Sequence, residues 1–589
     1  MAVVGMGAPR RRRRRRGSRR LLRSNGDRPP AGLGERCDGD LPMVRRPLAL
    51  LVAALLLCLV SACGEGTLRV NVQLLTKSCP NRDGQTVDVL ADPGVTHLEF
   101  IVSGDGLEAP LTTVVSRDAG EASIPDIPLG PPGEVLTRLI EVRAHFDGAG
   151  GPVVALGSSV VQMSSDNPGP ITVPIFLRPI QSFLYTARAD APDSCTVMTK
   201  ARMGHTATAL KDGRVLIVGG AELDSLGGRT VQKSAEIFDP RTGTFTLLEG
   251  DAAPLLPRVF HTATLLPDGR VLIAGGEADV DGKKEALRPA EIFDPVQNAF
   301  LKGPENTPAA TIARTRHTAS LTTGGLVVLV GGYTDPNPAG GQSALPVATT
   351  EFYDPAKNRF FVGPELPEPK AEHCAATITG DSVIVLAGGK TLTGGMVEAS
   401  DTIYFLRSDG ATVSLLTQGG APLTEHLGTA RYALGCARVT AGGRETVVFG
   451  GGFTTVGDFG SSSAHAGIER FDPAAQPAIE EVGQLGGGAR GNLCAVKTDE
   501  STVVFLGGYN SDDPVASASA DAVSGGDGGF QVSNIRAKMN DPRFQQACTR
   551  LADGTILVTG GWYSEPRQPG DPLSLKTAEL YTPISLRSP

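Results

Sequence analysis

From residue 215 onward the chain repeatedly writes a short apolar run that ends in a pair of glycines. Val215-Leu216-Ile217-Val218 runs into Gly219-Gly220 and Val503-Val504-Phe505-Leu506 into Gly507-Gly508. The other pairs begin at Gly275, Gly331, Gly388, Gly451 and Gly560, so seven copies recur at a spacing of 53 to 63 residues. A run of four or so aliphatic residues bounded by turn residues predicts a buried strand, since it is too short for a typical helix. A fixed period of this length predicts stacked or radial repeats.

Each copy divides into four strokes. The first has Gly204 to Leu210, a turn at Lys211-Asp212-Gly213, Arg214 to Gly220, a longer loop, Ala235 to Pro240, a turn at Arg241-Thr242-Gly243, and Thr244 to Leu248. Four strands with tight turns predict one antiparallel sheet per copy, and seven such sheets closing radially leave only short edges exposed. The last copy stops at Ala578-Glu579-Leu580-Tyr581, one strand short. The segment Gln181 to Thr186 precedes the first copy and is expected to supply the missing outer strand, which ties the two ends of the ring together.

These motifs resemble the kelch family over roughly residues 181 to 583: an Arg-x-Gly-His leading the first strand, a double glycine ending the second, and Glu-aromatic-Asp-Pro ending the third. Some copies are worn. The fourth has Tyr404-Phe405-Leu406 where the Asp-Pro belongs, the sixth has only Gly529-Phe530-Gln531-Val532, and Phe245, Phe300 and Phe360 replace the family's fourth-strand tryptophan. The resemblance implies an all-β fold, a seven-bladed kelch-type β-propeller over residues 181–589. Kelch relatives also include a copper oxidase and lyase- or isomerase-like enzymes, so a galactose-oxidase-like or other carbohydrate-active enzyme using the axial pocket stands as the alternative function.

Residues 63–180 lack the repeat. Stretches at Thr67 to Leu75, Thr96 to Val102, Glu134 to Phe146, Val153 to Val161 and Ile171 to Leu177 read as strands separated by Gly- and Pro-rich breaks, which predicts a small Ig-like β-sandwich serving as a spacer. Upstream, Arg45-Arg46, the apolar stretch Pro47 to Leu59 and Val60-Ser61-Ala62-Cys63 have the order of a secretory signal with a cysteine at its cleavage site. This resembles a bacterial lipoprotein signal over residues 43–62 and implies that Cys63 is lipidated. Gly64 follows it in place of the aspartate of the inner-membrane retention signal, so the expected location is the bacterial outer membrane or cell surface. Residues 1–42 are read as a disordered leader or a mis-assigned start.

Charge sharpens this. The formal net charge of −8 includes fourteen Arg and only four acids in residues 1–62, so the remainder is strongly acidic. An acidic average field repels polyanions, so no nucleic acid is expected as a partner.

Candidate sites follow from the loops. Those after the glycine pairs are long and varied, which is where a rigid scaffold places binding residues; Tyr333, Phe453, Tyr509 and Trp562 stand first in four of them. Arg202, Arg258, Arg314, Arg431 and Arg543 recur ahead of the first strands and offer a basic rim for an acidic ligand. The competing reading pairs them inside the scaffold with the recurring Glu236, Glu291, Glu351, Glu469 and Glu579. His205, His261, His317 and His373 recur too, but equivalent positions in neighbouring blades lie too far apart for one metal, so they are expected to bond their own loops and no metal site is assigned. Cys79 and Cys195 are candidates for a disulfide, while Cys374, Cys436, Cys494 and Cys548 are read as fillers of tight positions near the axis. No nucleophile motif, phosphate loop or cofactor signature is evident. The expectation is a nonenzymatic, lipid-anchored binding protein, without cofactors, that takes an envelope or extracellular protein or glycan on its long-loop face and meets the membrane only through its lipid.

Overall fold

The computed structural model describes residues 67–584, apart from 69, 119–126, 130, 132, 165, 167–169, 337–343, 381, 458–461, 511–514, 527 and 564–571. Cys63 and the signal segment lie outside the described residues. The fold is all-β, with no α-helix among the described residues and only three short 3-10 turns.

Seven antiparallel sheets carry the repeat, each with at least four strands. The first is Thr206–Ala209, Val215–Val218, Ala235–Asp239 and Thr244–Leu248, and it sets the pattern for the others. Second strands such as Val215–Val218, Val271–Ala274 and Val327–Val330 are buried at every position because neighbouring sheets cover both faces. The first strands contact one another in cyclic order, and the last, Ala547–Arg550, contacts the first, Thr206–Ala209. The sixth copy, worn in sequence, still builds four strands from Cys494–Lys497 to Gly529–Ile535. The fourth gains a further strand at Thr424–His426, paired to Thr402–Ser408.

The ring is closed by the N-terminal segment. Ser182–Tyr185 pairs antiparallel with Ala578–Thr582, placing Phe183 opposite Tyr581 with ring centroids 4.8 Å apart.

The described part of residues 67–180 holds a five-stranded antiparallel sheet in the order Leu111–Ser116, Val95–Gly104, Val135–Phe146, Val153–Ser164, Arg178–Pro179. Val70–Leu75 and Ile171–Phe176 pair in parallel beside it, and Val70, Val173 and Ile175 share a core with Phe100, Val102, Ile140 and Val142. The strand at Leu111–Ser116 escapes the sequence reading because its burial only alternates between half-buried and exposed. This module packs on the tight-turn side of the propeller: Ser158, Phe176 and Arg178 meet Asp212, Asp239 and Asp553, and Ser158 donates to the Asp553 carbonyl at 3.3 Å. The long-loop side carries the site.

Among the described residues, three disulfides fasten the fold. Cys79–Cys195 joins the N-terminal module to the segment ahead of the first blade. The reading of the other four cysteines as space fillers is corrected: Cys374–Cys436 and Cys494–Cys548 link first strands of adjacent blades. Pairing needed the side-by-side approach of strands 62 and 54 residues apart, which no local pattern encodes.

Candidate functional site: an axial cavity above a left-handed ring

Paired glycines are blade-to-blade joints. A Cβ on Gly219 would stand 2.3 Å from the Arg258 carbonyl of the next blade, and Gly220 has a φ of +90°. Both positions therefore require glycine. The second glycine of each pair donates its N–H to the next blade's carbonyl, from Gly220 to Arg258 at 2.8 Å round to Gly561 and Arg202 at 2.8 Å.

The arginines offered as a basic rim are the anchors of these joints, which corrects their candidacy as ligand contacts. Arg202, Arg258, Arg314, Arg431 and Arg543 are wholly buried. They pair with Glu236, Glu291, Glu351, Glu469 and Glu579 at 2.6 to 2.8 Å. Arg202, Arg258, Arg314 and Arg543 also donate to the carbonyl of the first glycine in the pair. Asp521 takes the glutamate's role for Arg490, and Glu368 pairs with Lys370. Buried charges of this kind survive only when paired and hydrogen-bonded.

The histidines are scaffold as well, but by another route than their own loops. His261, His317 and His373 place Nε2 2.8 to 3.1 Å from Thr206, Thr262 and Thr318 of the preceding blade, and His205 meets Thr559 at 2.8 Å. Burial first, and the neighbouring cations second, lower all four, His205 and His373 to about 3.

Between each cation and histidine position lies a residue that the sequence reading passed over. These are Gly204, Phe260, Arg316, Glu372, Ala433, Asn492 and Gln545, all left-handed with φ between +52° and +61°. Each donates its N–H to the carbonyl of the same residue one blade back, at 2.9 to 3.4 Å, and Gly204 closes the circle onto Gln545. Left-handed backbone costs a non-glycine residue on the order of 1 kcal/mol or more. The circular hydrogen bonds hold six such residues there. The signal was legible: the kelch motif has glycine at this place, and only the first copy keeps it.

This ring constricts the axis. Above it, on the long-loop side, is a cavity of about 550 Å³, and below it one of about 300 Å³; Arg316, Glu372, Asn492 and Gln545 line both. The residues directly after the glycine pairs rise around the upper cavity: Glu277, Tyr333, Lys390, Tyr509 and Trp562. Phe453 occupies the equivalent place in the fifth blade but is fully buried, packed between Tyr432 and Tyr509. Tilted ring contacts continue through Phe544 to Trp562, with centroids 4.6 to 5.5 Å apart along the arc. Three of the other loops are instead small hairpins, such as Glu277–Val280 with Lys283–Ala286.

Charged groups occupy the opposite wall. Glu372 accepts from Tyr333 Oη at 3.0 Å and from Lys390 Nζ at 3.1 Å. Burial opposes its charge, but Lys390 and Arg316 outweigh that and hold the carboxyl below its usual range. Burial pushes the Tyr333 hydroxyl well up, with Glu372 adding to it, and raises Tyr509 to about 12. Both tyrosines are therefore neutral donors at ordinary pH. Glu277 accepts from Arg229 Nη1 at 2.6 Å and from Thr315 Oγ1 at 3.2 Å.

Copper of the oxidase type needs imidazole and phenol ligands converging on one point. None of the eight histidines lines the upper cavity, and the four at the recurring position are bound into blade joints. The residues present do not fit that group.

Fold and site together define a kelch-like β-propeller with an axial cavity on its long-loop face. No family model matches the chain, and no curated protein matches it. Solved structures that resemble it include that of YjhT, at 15% identity and a TM-score of 0.41, covering 57% of this chain and 99% of that one. Another is a fungal alcohol oxidase of the AA5 family in complex with copper, at 14% identity and a TM-score of 0.45, covering 66% of this chain and 75% of that one.

Proposed function

We propose that this chain is a lipid-anchored protein of a bacterial envelope whose propeller binds, without catalysis, the end of a glycan in the axial cavity of its long-loop face. The observation that carries this reading is the cavity itself, about 550 Å³ and walled by aromatic rings on one side and by Glu372, Lys390 and Arg316 on the other. A concave site of that volume suits a small polar ligand or a chain end, whereas a protein partner ordinarily covers a broad surface of about 800 Å². The N-terminal module lies on the other face, so it leaves the cavity mouth uncovered. Disulfides between blades suit an oxidising compartment, in keeping with export.

The test expresses the chain with its signal and purifies the mature protein. Mass spectrometry reads whether Cys63 carries acyl chains, and an array of glycans alongside immobilised envelope proteins reads binding. A glycan ligand whose affinity falls at least about tenfold on Trp562→Ala, as loss of an aromatic contact implies, supports the proposal. Binding only to proteins, or stoichiometric copper with turnover of an alcohol, overturns it.

A further inference from the structure

Arg316 stands apart from the cations of the blade joints. Its guanidinium carbon lies over the Phe260 ring, 3.6 Å from the centroid, and among the described residues the guanidinium makes no ion pair or hydrogen bond. Its direction is set by its neighbours in the ring. Phe260 packs across Gly204, where a Cβ would come within 2.6 Å of the aromatic ring, so the one glycine retained in the circle makes room for the platform that holds Arg316. Glu372, whose carboxyl feels the Arg316 charge, is bonded by Tyr333 and Lys390 and makes no ion pair with Arg316. Lys284 lines the same cavity and adds a further cation besides Lys390.

An oriented guanidinium with no ion pair or hydrogen bond of its own lines the cavity. We propose that Arg316 anchors a carboxylate of the bound ligand. This rests on the binding role proposed for the cavity and names the chemistry it selects. Arginine is suited to the task because its planar fork presents two parallel donors to a carboxylate, and because stacking on Phe260 fixes the fork beforehand. The acidic surroundings do not oppose it, since the cavity's own acids are neutralised by Arg229 and Lys390.

Calorimetry on the mature protein with glucuronate against glucose, and with N-acetylalanine against its amide, tests the proposal and separates a sugar acid from a peptide end. The expected result is at least about tenfold preference for the acid in one of the two pairs, the scale of a charge-assisted bidentate contact. Arg316→Gly should abolish that preference while keeping the thermal midpoint, because Gly204 already serves at the equivalent place. Arg316→Lys should retain part of it. Equal binding of acid and neutral partner, or a preference that survives Arg316→Gly, overturns the anchor; if such binding still depends on Trp562, the cavity's binding role stands without it. Absence of binding by all four probes, together with an empty glycan array, overturns both.

Discussion

Nε2 of His261 lies 2.9 Å from Oγ1 of Thr206 in the preceding blade. The same imidazole packs on Gly219, where a Cβ would come within 2.9 Å of its Cε1. One side chain thus fills the space left by a glycine and hydrogen-bonds across the joint, and His205, His317 and His373 repeat the contact.

These histidines make stability depend on pH with a definite sign. In the folded state their affinity for a proton is depressed, to about 3 for His205 and His373, whereas the unfolded chain binds protons near pH 6.5. The unfolded state therefore takes up protons first. Stability from this source is complete above about pH 7 and falls as pH drops from about 6.5 toward 3, by up to ~1.4 kcal/mol per pH unit for each histidine. His261→Leu, using the residue that Leu434 and Leu493 supply in other blades, should remove one such dependence. Urea midpoints at pH 7 and pH 4.5 should show the variant losing less on acidification than the wild type. An identical loss in both proteins would show that His261 contributes nothing to the acid response.

Closure by Ser182–Tyr185 should govern the whole ring, because removing it exposes the edge of Ala578–Thr582 and parts the chain ends. Deletion of residues 181–187 is expected to lower the melting temperature in one cooperative transition. Phe183→Ala, which empties a buried site against Tyr581, should cost about 3–5 kcal/mol. An unchanged melting temperature in the deletion variant would mean that the ring closes elsewhere.

Peptide mapping without reductant should recover Cys79–Cys195, Cys374–Cys436 and Cys494–Cys548 as linked pairs. Each closes a loop of more than fifty residues, so replacing one pair by serine is expected to cost about 2–4 kcal/mol. Free thiols on Cys374, Cys436, Cys494 and Cys548 in the native protein would contradict the blade-to-blade bridges and restore their reading as space fillers.

Strand positions were legible because a buried strand leaves a local mark, an apolar run stopped by glycine, and the recurrence of that mark implied the repeat. The missing strand of the last copy was legible for the same reason, since Ser182–Tyr185 is apolar and lies ahead of the first copy. Arg258 with Glu291 was readable as a pair because both recur in register, though only burial decided that the arginine faces its partner and not solvent. The left-handed ring was hidden in plain view: Arg316 and Gln545 look like ordinary loop residues until the copies are superposed on the motif.

By itself, the sequence determined the repeat, the strands that recur in it and which positions demand glycine, because backbone conformation and alternation are local properties. Tertiary structure decided everything that required two blades at once. It brought Cys374 to Cys436 and His261 to Thr206, it joined seven separate loop residues into one hydrogen-bonded circle, and it set Arg316 over Phe260 at the floor of the cavity. Those contacts span more than fifty residues of chain and arise only when the ring closes.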